Sequence, residues 1–390
     1  MNSRNKTGWA AVSGAAFLMA TSAIGPGFIN NTTVFTQTLA ASFGFVILIS
    51  VLLDVVVQLN LWRIITSGGA YAQEIANQTL PGMGYVLIVL VSGGGLLFNI
   101  GNIAGAALGL QVLTGCTLPV GALISTAIAI FIFMVKNAGR AMDVFARVLG
   151  LLMIGLMAYV CFRARPDVGL AIQKTFIPDK INGLIILTIV GGTVGGYISF
   201  AGAHRLLEAG VTDTRQVTRG AVSGILIASA MRYLLFLAAL GVVAQQVVLS
   251  GSNPAATVFS SAAGAVGKQL FGLVLWCAAI TSVVGSAFTS VSFLQSLHPV
   301  IARNKQWVIC IFILVSTTVF IFLGRPVQLL TFAGAANGFI LPVALGIMLW
   351  AVYKKGRQPH YRHPQWLWYS GCAAALLMGY MGVKEVIKLF

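Results

Sequence analysis

The chain has 390 residues, of which 58% are hydrophobic and 8% charged, with a formal net charge of +16. A soluble domain carries about 25% charged residues, so this composition excludes an ordinary water-facing surface and fits lipid, where a helix of ~20 apolar residues crosses ~30 Å of hydrocarbon and satisfies its own backbone. The excess charge does not indicate nucleic acid, because the basic residues sit in short loops between apolar runs and no basic face is interleaved with stacking aromatics.

In chain order, eleven membrane spans are expected, roughly over 9–37, 40–62, 83–113, 117–135, 143–162, 181–209, 220–248, 264–296, 306–323, 327–352 and 365–386. No loop between them is long enough to bury a core, so 1–390 reads as one transmembrane domain. Arg4 and Lys6 precede the first apolar run as in a signal peptide. The run continues past a glycine-proline break, which favours a first span over a cleaved signal. The cysteines Cys116, Cys161, Cys277, Cys310 and Cys372 are scattered, with no CxxC and no Cys/His cluster, and read as small packing residues.

With the N-terminus in the cytoplasm, fifteen Lys and Arg fall in cytoplasmic segments and eight on the other side, with Arg232 left inside the membrane. This bias predicts an inner N-terminus and an outer C-terminus. Trp62, Trp307, Trp350 and Trp366 lie near the proposed inner ends, as an aromatic belt would.

Two spans are interrupted. The first contains Gly25-Pro26-Gly27-Phe28 followed by Asn30. The sixth contains Gly191, Gly192, Gly195, Gly196 and Gly202, with Tyr197, Ser199 and the pair His204-Arg205. Proline removes a backbone donor and glycine favours non-helical geometry. Kinks and close helix packing are the ordinary reading of such residues. Breaks at matching positions of two halves point instead to a transport site near the midplane, where unwound backbone and half-helix dipoles face the substrate. The predicted architecture is all-α, with 9–162 and 181–352 as a five-plus-five inverted repeat and 365–386 as an added eleventh helix.

These stretches resemble the NRAMP (natural resistance-associated macrophage protein) family of divalent-metal transporters, which have the LeuT-type fold. Gly25-Pro26-Gly27-Phe28 falls where the family has Asp-Pro-Gly-Asn, and Gly202-Ala203-His204 where it has Met-Pro-His. Gln58 to Glu74 resembles the end of the second helix, and Pro326 to Leu330 with Leu341-Pro342 the tenth. The resemblance implies a metal site at Gly25, Phe28 and Gly202, yet the carboxylate, amide and thioether that would hold the metal are gone. Asn99 and Asn102 stand where the family carries acidic residues tied to proton movement. Loss of an anion weakens attraction for a dication, and loss of soft ligands removes transition-metal preference. No metal site and no cofactor are therefore expected.

What remains suits a small organic solute. Gly25 and Gly202 are expected to open volume, Phe28 to supply an apolar wall, and Asn30, Asn99, Asn102, Tyr197 and Ser199 to offer neutral hydrogen bonds. His204, Arg205 and Arg232 supply or can acquire positive charge, and arginine matches a carboxylate in a two-pronged geometry. The resemblance extends to relatives with this altered motif that are often encoded beside enzymes of 5-oxoproline breakdown, which makes 5-oxoproline one candidate.

Each residue also has a plainer reading. Arg232 can pair with Asp54 of span 2, His204 can support the unwound segment, Arg205 can pair with Glu208 one helical turn on, and the two asparagines can join helices. His204, Arg205, Arg232 and Asp54 are candidates for ion coupling or the transport pathway, and Thr281 and Ser282 of span 8 for ion coupling or for packing.

No nucleophile-base-acid set, phosphate loop or HExxH motif occurs, which argues against an enzyme. The sequence thus predicts an ion-coupled transporter of a small organic solute in a bacterial inner membrane. The alternative is a divalent-cation transporter for Mg²⁺ or Mn²⁺. The partners expected are substrate and the lipid bilayer, with no nucleic acid and no obligate protein.

Overall fold

The computed structural model describes residues 23–134, 138–249, 251–355 and 361–388. Residues 9–22 of the expected first span, and the basic residues Arg4, Lys6, Lys136 and Arg357 used for orientation, lie outside the described residues.

The described chain is built from helices. They are α1 (Pro26–Leu39), α2 (Phe43–Gly68), α3 (Ala72–Thr79), α4 (Met83–Thr114), α5 (Leu118–Met134), α6 (Ala138–Ala164), α7 (Val168–Phe176) and α8 (Gly183–Val194), followed by α9 (Tyr197–Glu208), α10 (Thr214–Ala244), α11 (Pro254–Leu294), α12 (Pro299–Arg303), α13 (Lys305–Leu323), α14 (Pro326–Lys355) and α15 (Gln365–Ile387). Every expected span beyond the first coincides with one of these helices or, for the sixth, with the pair α8 and α9. Among the described residues, seven helical segments are long and apolar enough to cross a membrane, and Leu118–Met134 and Gly150–Ala164 are shorter apolar helices. Large apolar side chains such as Phe162 and Phe322 stand more than 80% exposed (82% and 85%), as side chains facing lipid do.

α4 is the axis. α11, α14, α5, α3, α13 and α1 all pack on it. Lipid tails are as apolar as leucine, so helices in a bilayer associate through close fit rather than through hydrophobic exclusion. α4 meets that requirement with Gly101, Gly105 and Gly109, spaced four apart on one face. A Cβ on Gly105 would overlap the Pro26 ring, and one on Gly109 would come within 2.6 Å of the Trp276 backbone nitrogen of α11. On the other side, α14 and α8 meet backbone to backbone at Gly191, Gly334 and Gly338.

α2 is the second scaffold element, against α10, α8, α9 and α15. Asn60 of α2 donates to the Leu367 carbonyl at 3.0 Å and meets His363 Nε2 at 2.8 Å, which docks α15. Burial, and then the nearby Arg63 guanidinium, lower the His363 imidazole to about 4. α11 begins at Pro254, earlier than the expected start at 264. Gly264 breaks its helical geometry (φ 64°, ψ −158°), so the span proper starts at that bend.

Trp62 does not join an aromatic belt. It is fully buried and donates its indole N–H to the Ser199 carbonyl at 2.9 Å, since a buried indole needs an acceptor. Trp307, Trp350 and Trp366 are exposed. The five cysteines are free.

The α4–α11 contact predicts that Gly109→Val overpacks the interface and lowers stability by ~1–3 kcal/mol. Gly93→Ala, where an added Cβ meets nothing within 4 Å, should leave stability unchanged or slightly higher. Thermal unfolding in detergent measures both, and equal losses would contradict the close approach at Gly109.

Candidate functional site

Both interrupted spans are broken. Ala23 is helical, Ile24 and Gly25 form a bend, and α1 resumes at Pro26. Gly25 is extended (φ −94°, ψ −174°) and Pro26 occupies the first turn, where its missing N–H removes no helical bond. In the sixth span the interruption lies at Gly195–Gly196, between α8 and α9, while Tyr197 to His204 are helical. The unwinding expected near Gly25–Gly27 and Tyr197–His204 is confined in the structure to Ile24–Gly25 and Gly195–Gly196, and Pro26 and Gly27 are already helical. Gly196 takes φ +53°, ψ −127°, a conformation for which a side chain is strained, and a Cβ there would also meet Asn337.

A side chain satisfies one end of the second break. Ser199 donates its hydroxyl to the Val194 carbonyl at 2.8 Å, capturing an acceptor that the end of α8 leaves free. Asn337 of α14 donates to the carbonyls of Ala333 and Gly94 at 2.8 and 3.1 Å, and its buried Oδ1 keeps no hydrogen-bond partner.

A small cavity lies beside the first break, with room for about one water molecule. Gly25, Gly27 and Phe28 line it from the first break, Phe98, Gly101 and Asn102 from α4, Gly192 from α8, and Leu330 and Ala333 from α14. The N-terminus of α1 opens directly onto it. Asn102 is 4% exposed and its side-chain NH₂ has no partner. Tyr197 stands edge-on to Phe98, ring centroids 5.6 Å apart.

The structure brings Gly25, Gly27, Phe28 and Asn102 to the cavity, with Pro26 seated on α4 beside it. Other residues singled out from the sequence serve elsewhere. Asn30 donates to the Val327 carbonyl and the Thr331 hydroxyl, both at 3.4 Å, tying α1 to α14. Asn99 accepts from Ser286 at 2.8 Å and donates to Ser316 at 3.0 Å, which joins α4, α11 and α13. Gly202 opens no volume: a Cβ there would run into the Trp62 indole. Thr281 bonds the Ala278 carbonyl of its own helix at 2.9 Å, and Ser282 is buried with its hydroxyl unpartnered.

His204 is caged by rings, edge-on to Tyr71 (centroids 4.7 Å) and stacked on Phe293 (5.0 Å). Its Nε2 accepts from the Ala72 amide at 3.5 Å and its buried Nδ1 has no partner. Arg205 follows, half-buried, in the last turn of α9. Glu208 accepts from the Tyr71 hydroxyl at 2.9 Å. Burial first, and then the Glu208 carboxylate, push the Tyr71 phenol up to about 12.

Arg232 lies behind the cavity. It is 3% exposed, its guanidinium sits 4.2 Å over the Phe28 ring, and it donates to the Thr193 hydroxyl at 2.8 Å. The expected direct pair with Asp54 does not form: among the described residues no ion pair within 4 Å joins them. Thr193 is the neighbour the two share.

Sequence reasoning missed Thr193, Asn337 and the glycine stripe of α4. The Gly-x-x-x-Gly-x-x-x-Gly spacing of 101, 105 and 109 was the available signal for the stripe. Nothing local marks Thr193 or Asn337.

Two interrupted spans that both line one cavity in a helical membrane bundle define a transporter-like architecture, and the comparisons agree. The model of the family described as natural resistance-associated macrophage protein-like matches residues 16–388. An uncharacterized membrane protein of Bacillus subtilis (strain 168) is 55% identical over 96% of this chain and 94% of its own. One of Haemophilus influenzae is 51% identical over 97% and 96%. Among solved structures, the manganese transporter of Eremococcus coleocola superposes with TM-score 0.75 at 15% identity, over 98% of this chain and 87% of that one. MhsT in complex with L-phenylalanine superposes with TM-score 0.67 at 18% identity, over 95% and 98%. The chain belongs to the Nramp family and is an integral membrane transporter with the LeuT-type fold.

The Trp62 contact predicts that Gly202→Leu acts on folding. It should lower thermal stability by ~1–3 kcal/mol, and Gly202→Leu/Trp62→Ala should recover part of that loss. A stable Gly202→Leu single variant would contradict the packing described.

Proposed function

We propose that this transporter couples H⁺ or Na⁺ to the uptake of a small organic solute bearing a carboxylate. The observation that carries the reading is the wall of the cavity. Two aromatic rings, an asparagine amide with unpartnered donors, glycines and aliphatic side chains line it, and none of these is a carboxylate, imidazole or thioether. A dication in low dielectric needs an anion beside it. A carboxylate needs N–H donors, and here the start of α1 faces the cavity with its amides and its positive dipole end. Phe28 and Phe98 can cover an apolar body while Asn102 reads a polar edge. 5-oxoproline, with a carboxylate and a ring amide, is one solute of this class.

The cavity has room for about one water, so loading requires the half-helices at the two breaks to move, as alternating access does. The breaks at matching positions support the inverted repeat of 9–162 and 181–352, with the helix of 365–386 outside it. In this reading the protein lies in a bacterial inner membrane with its N-terminus inside and C-terminus outside. It has no enzymatic step. The unpartnered Ser282 hydroxyl on α11 is a candidate for the coupling ion.

A second reading, transport of a divalent cation, is favoured by structural likeness to the Eremococcus manganese transporter. Uptake into proteoliposomes separates the two, with radiolabelled carboxylates, 5-oxoproline among them, measured in parallel with Mn²⁺ and Mg²⁺. The expected result is saturable carboxylate uptake driven by a proton or sodium gradient, with no competing metal flux. Gly27→Leu should abolish it while the protein still folds, since a Cβ at Gly27 has Leu330 at 3.7 Å as its nearest contact. Metal flux without carboxylate flux would reverse the assignment.

A further inference from the structure

The buried guanidinium behind Phe28 has a place in the transport site that its present contacts do not explain. A guanidinium carries five N–H donors and no acceptor. Arg232 uses Nη1 on the Thr193 hydroxyl, its buried Nε has no hydrogen-bond partner, and the face of Phe28 takes up the rest of its charge. A ring face holds a cation less tightly than a carboxylate fork does. The obvious anion, Asp54, is close enough to interact electrostatically, yet it forms no ion pair within 4 Å and leaves its own buried Oδ1 without a partner. Two buried ionisable side chains, one acidic and one basic, thus stay apart, although pairing would relieve both.

The position of this pair explains what Arg232 is held ready for. Phe28 lines the cavity and so does Gly192, the residue next to Thr193. Arg232 is therefore one aromatic ring away from the cavity and anchored to both broken spans, through Phe28 of α1 and Thr193 of α8. The geometry points to Arg232 as the receptor for the substrate's carboxylate, with Phe28 as a cover that turns aside when the anion enters and Asp54 as the internal anion that balances the charge while the site is empty. This rests on the carboxylate reading above and names the residue that makes the site select an anion. A fixed buried cation repels a dication from the same cavity, so the one residue accounts for both preference and exclusion. The anion is a small monocarboxylate, because one fork is available and the cavity has few other donors.

The test is uptake into proteoliposomes of a panel of small monocarboxylates and their uncharged primary amides. Wild type should prefer a carboxylate to its amide. Arg232→Lys, which keeps the charge and loses the fork, should keep that preference with KM raised about tenfold. Asp54→Asn/Arg232→Gln removes both charges together, so neither is left buried alone, and should lose the preference for the anion. Phe28→Leu removes the cover and keeps the receptor, and should retain the preference.

Retention of the carboxylate-over-amide preference by the double variant overturns the assignment of Arg232 and leaves the carboxylate reading intact. Should the double variant fail to fold, an unchanged KM in Arg232→Lys overturns it equally. A wild type that carries neutral solutes or divalent cations and no carboxylate overturns both.

Discussion

Hydrocarbon offers no hydrogen bonds, and the structure is organised around that constraint at two points. A helix that stops inside a membrane leaves carbonyls and amides that only protein or an enclosed ligand can satisfy. At the second break Ser199 reaches back to the Val194 carbonyl, and Trp62 in turn bonds the Ser199 carbonyl. At the first break Pro26 has no amide to lose, and its ring rests where Gly105 has no side chain. The glycine faces of α4, α8 and α14 follow from the same need. Backbones have to come close for short polar groups to reach across, and Gly94 and Gly196 leave the space that Asn337 fills.

A few groups near the first break keep hydrogen-bonding or electrostatic capacity to spare. The start of α1, the Asn102 amide and the guanidinium behind Phe28 all favour negative charge. A metal site reverses this arrangement, with anions around a cation. The LeuT-type scaffold accommodates both, since it supplies two interrupted helices and a central space while the side chains at the breaks decide the sign. The superpositions on a manganese transporter and on MhsT with L-phenylalanine bound agree with a fold that does not dictate cargo.

Much of the architecture is legible in the sequence because hydropathy and chain breakers are local properties. The spans follow from apolar runs, and the breaks from Gly25-Pro26-Gly27 and from the glycines between 191 and 196. Within the sixth span the break falls at the glycines 195 and 196, and the expected stretch of 197–204 is helical. What the sequence does not carry is pairing over distance. Asn99 and Asn102 look alike and lie three residues apart, yet one is consumed by Ser286 and Ser316 while the other faces the cavity with free donors. Trp62 reads as a belt residue because it ends an apolar run, and its burial depends on a carbonyl 137 residues away. Thr193, the neighbour shared by Arg232 and Asp54, likewise has no motif to mark it.

The central claim is that the two breaks form one binding site. Hydrogen exchange of the protein in lipid, with and without a transported carboxylate, addresses it directly, because amides at broken helix ends exchange readily until a ligand covers them. Ligand is expected to slow exchange together in the peptides spanning residues 25–28 and 195–199, with little change at the Tyr71–Glu208 contact. Protection of one segment without the other, or of neither, would contradict it.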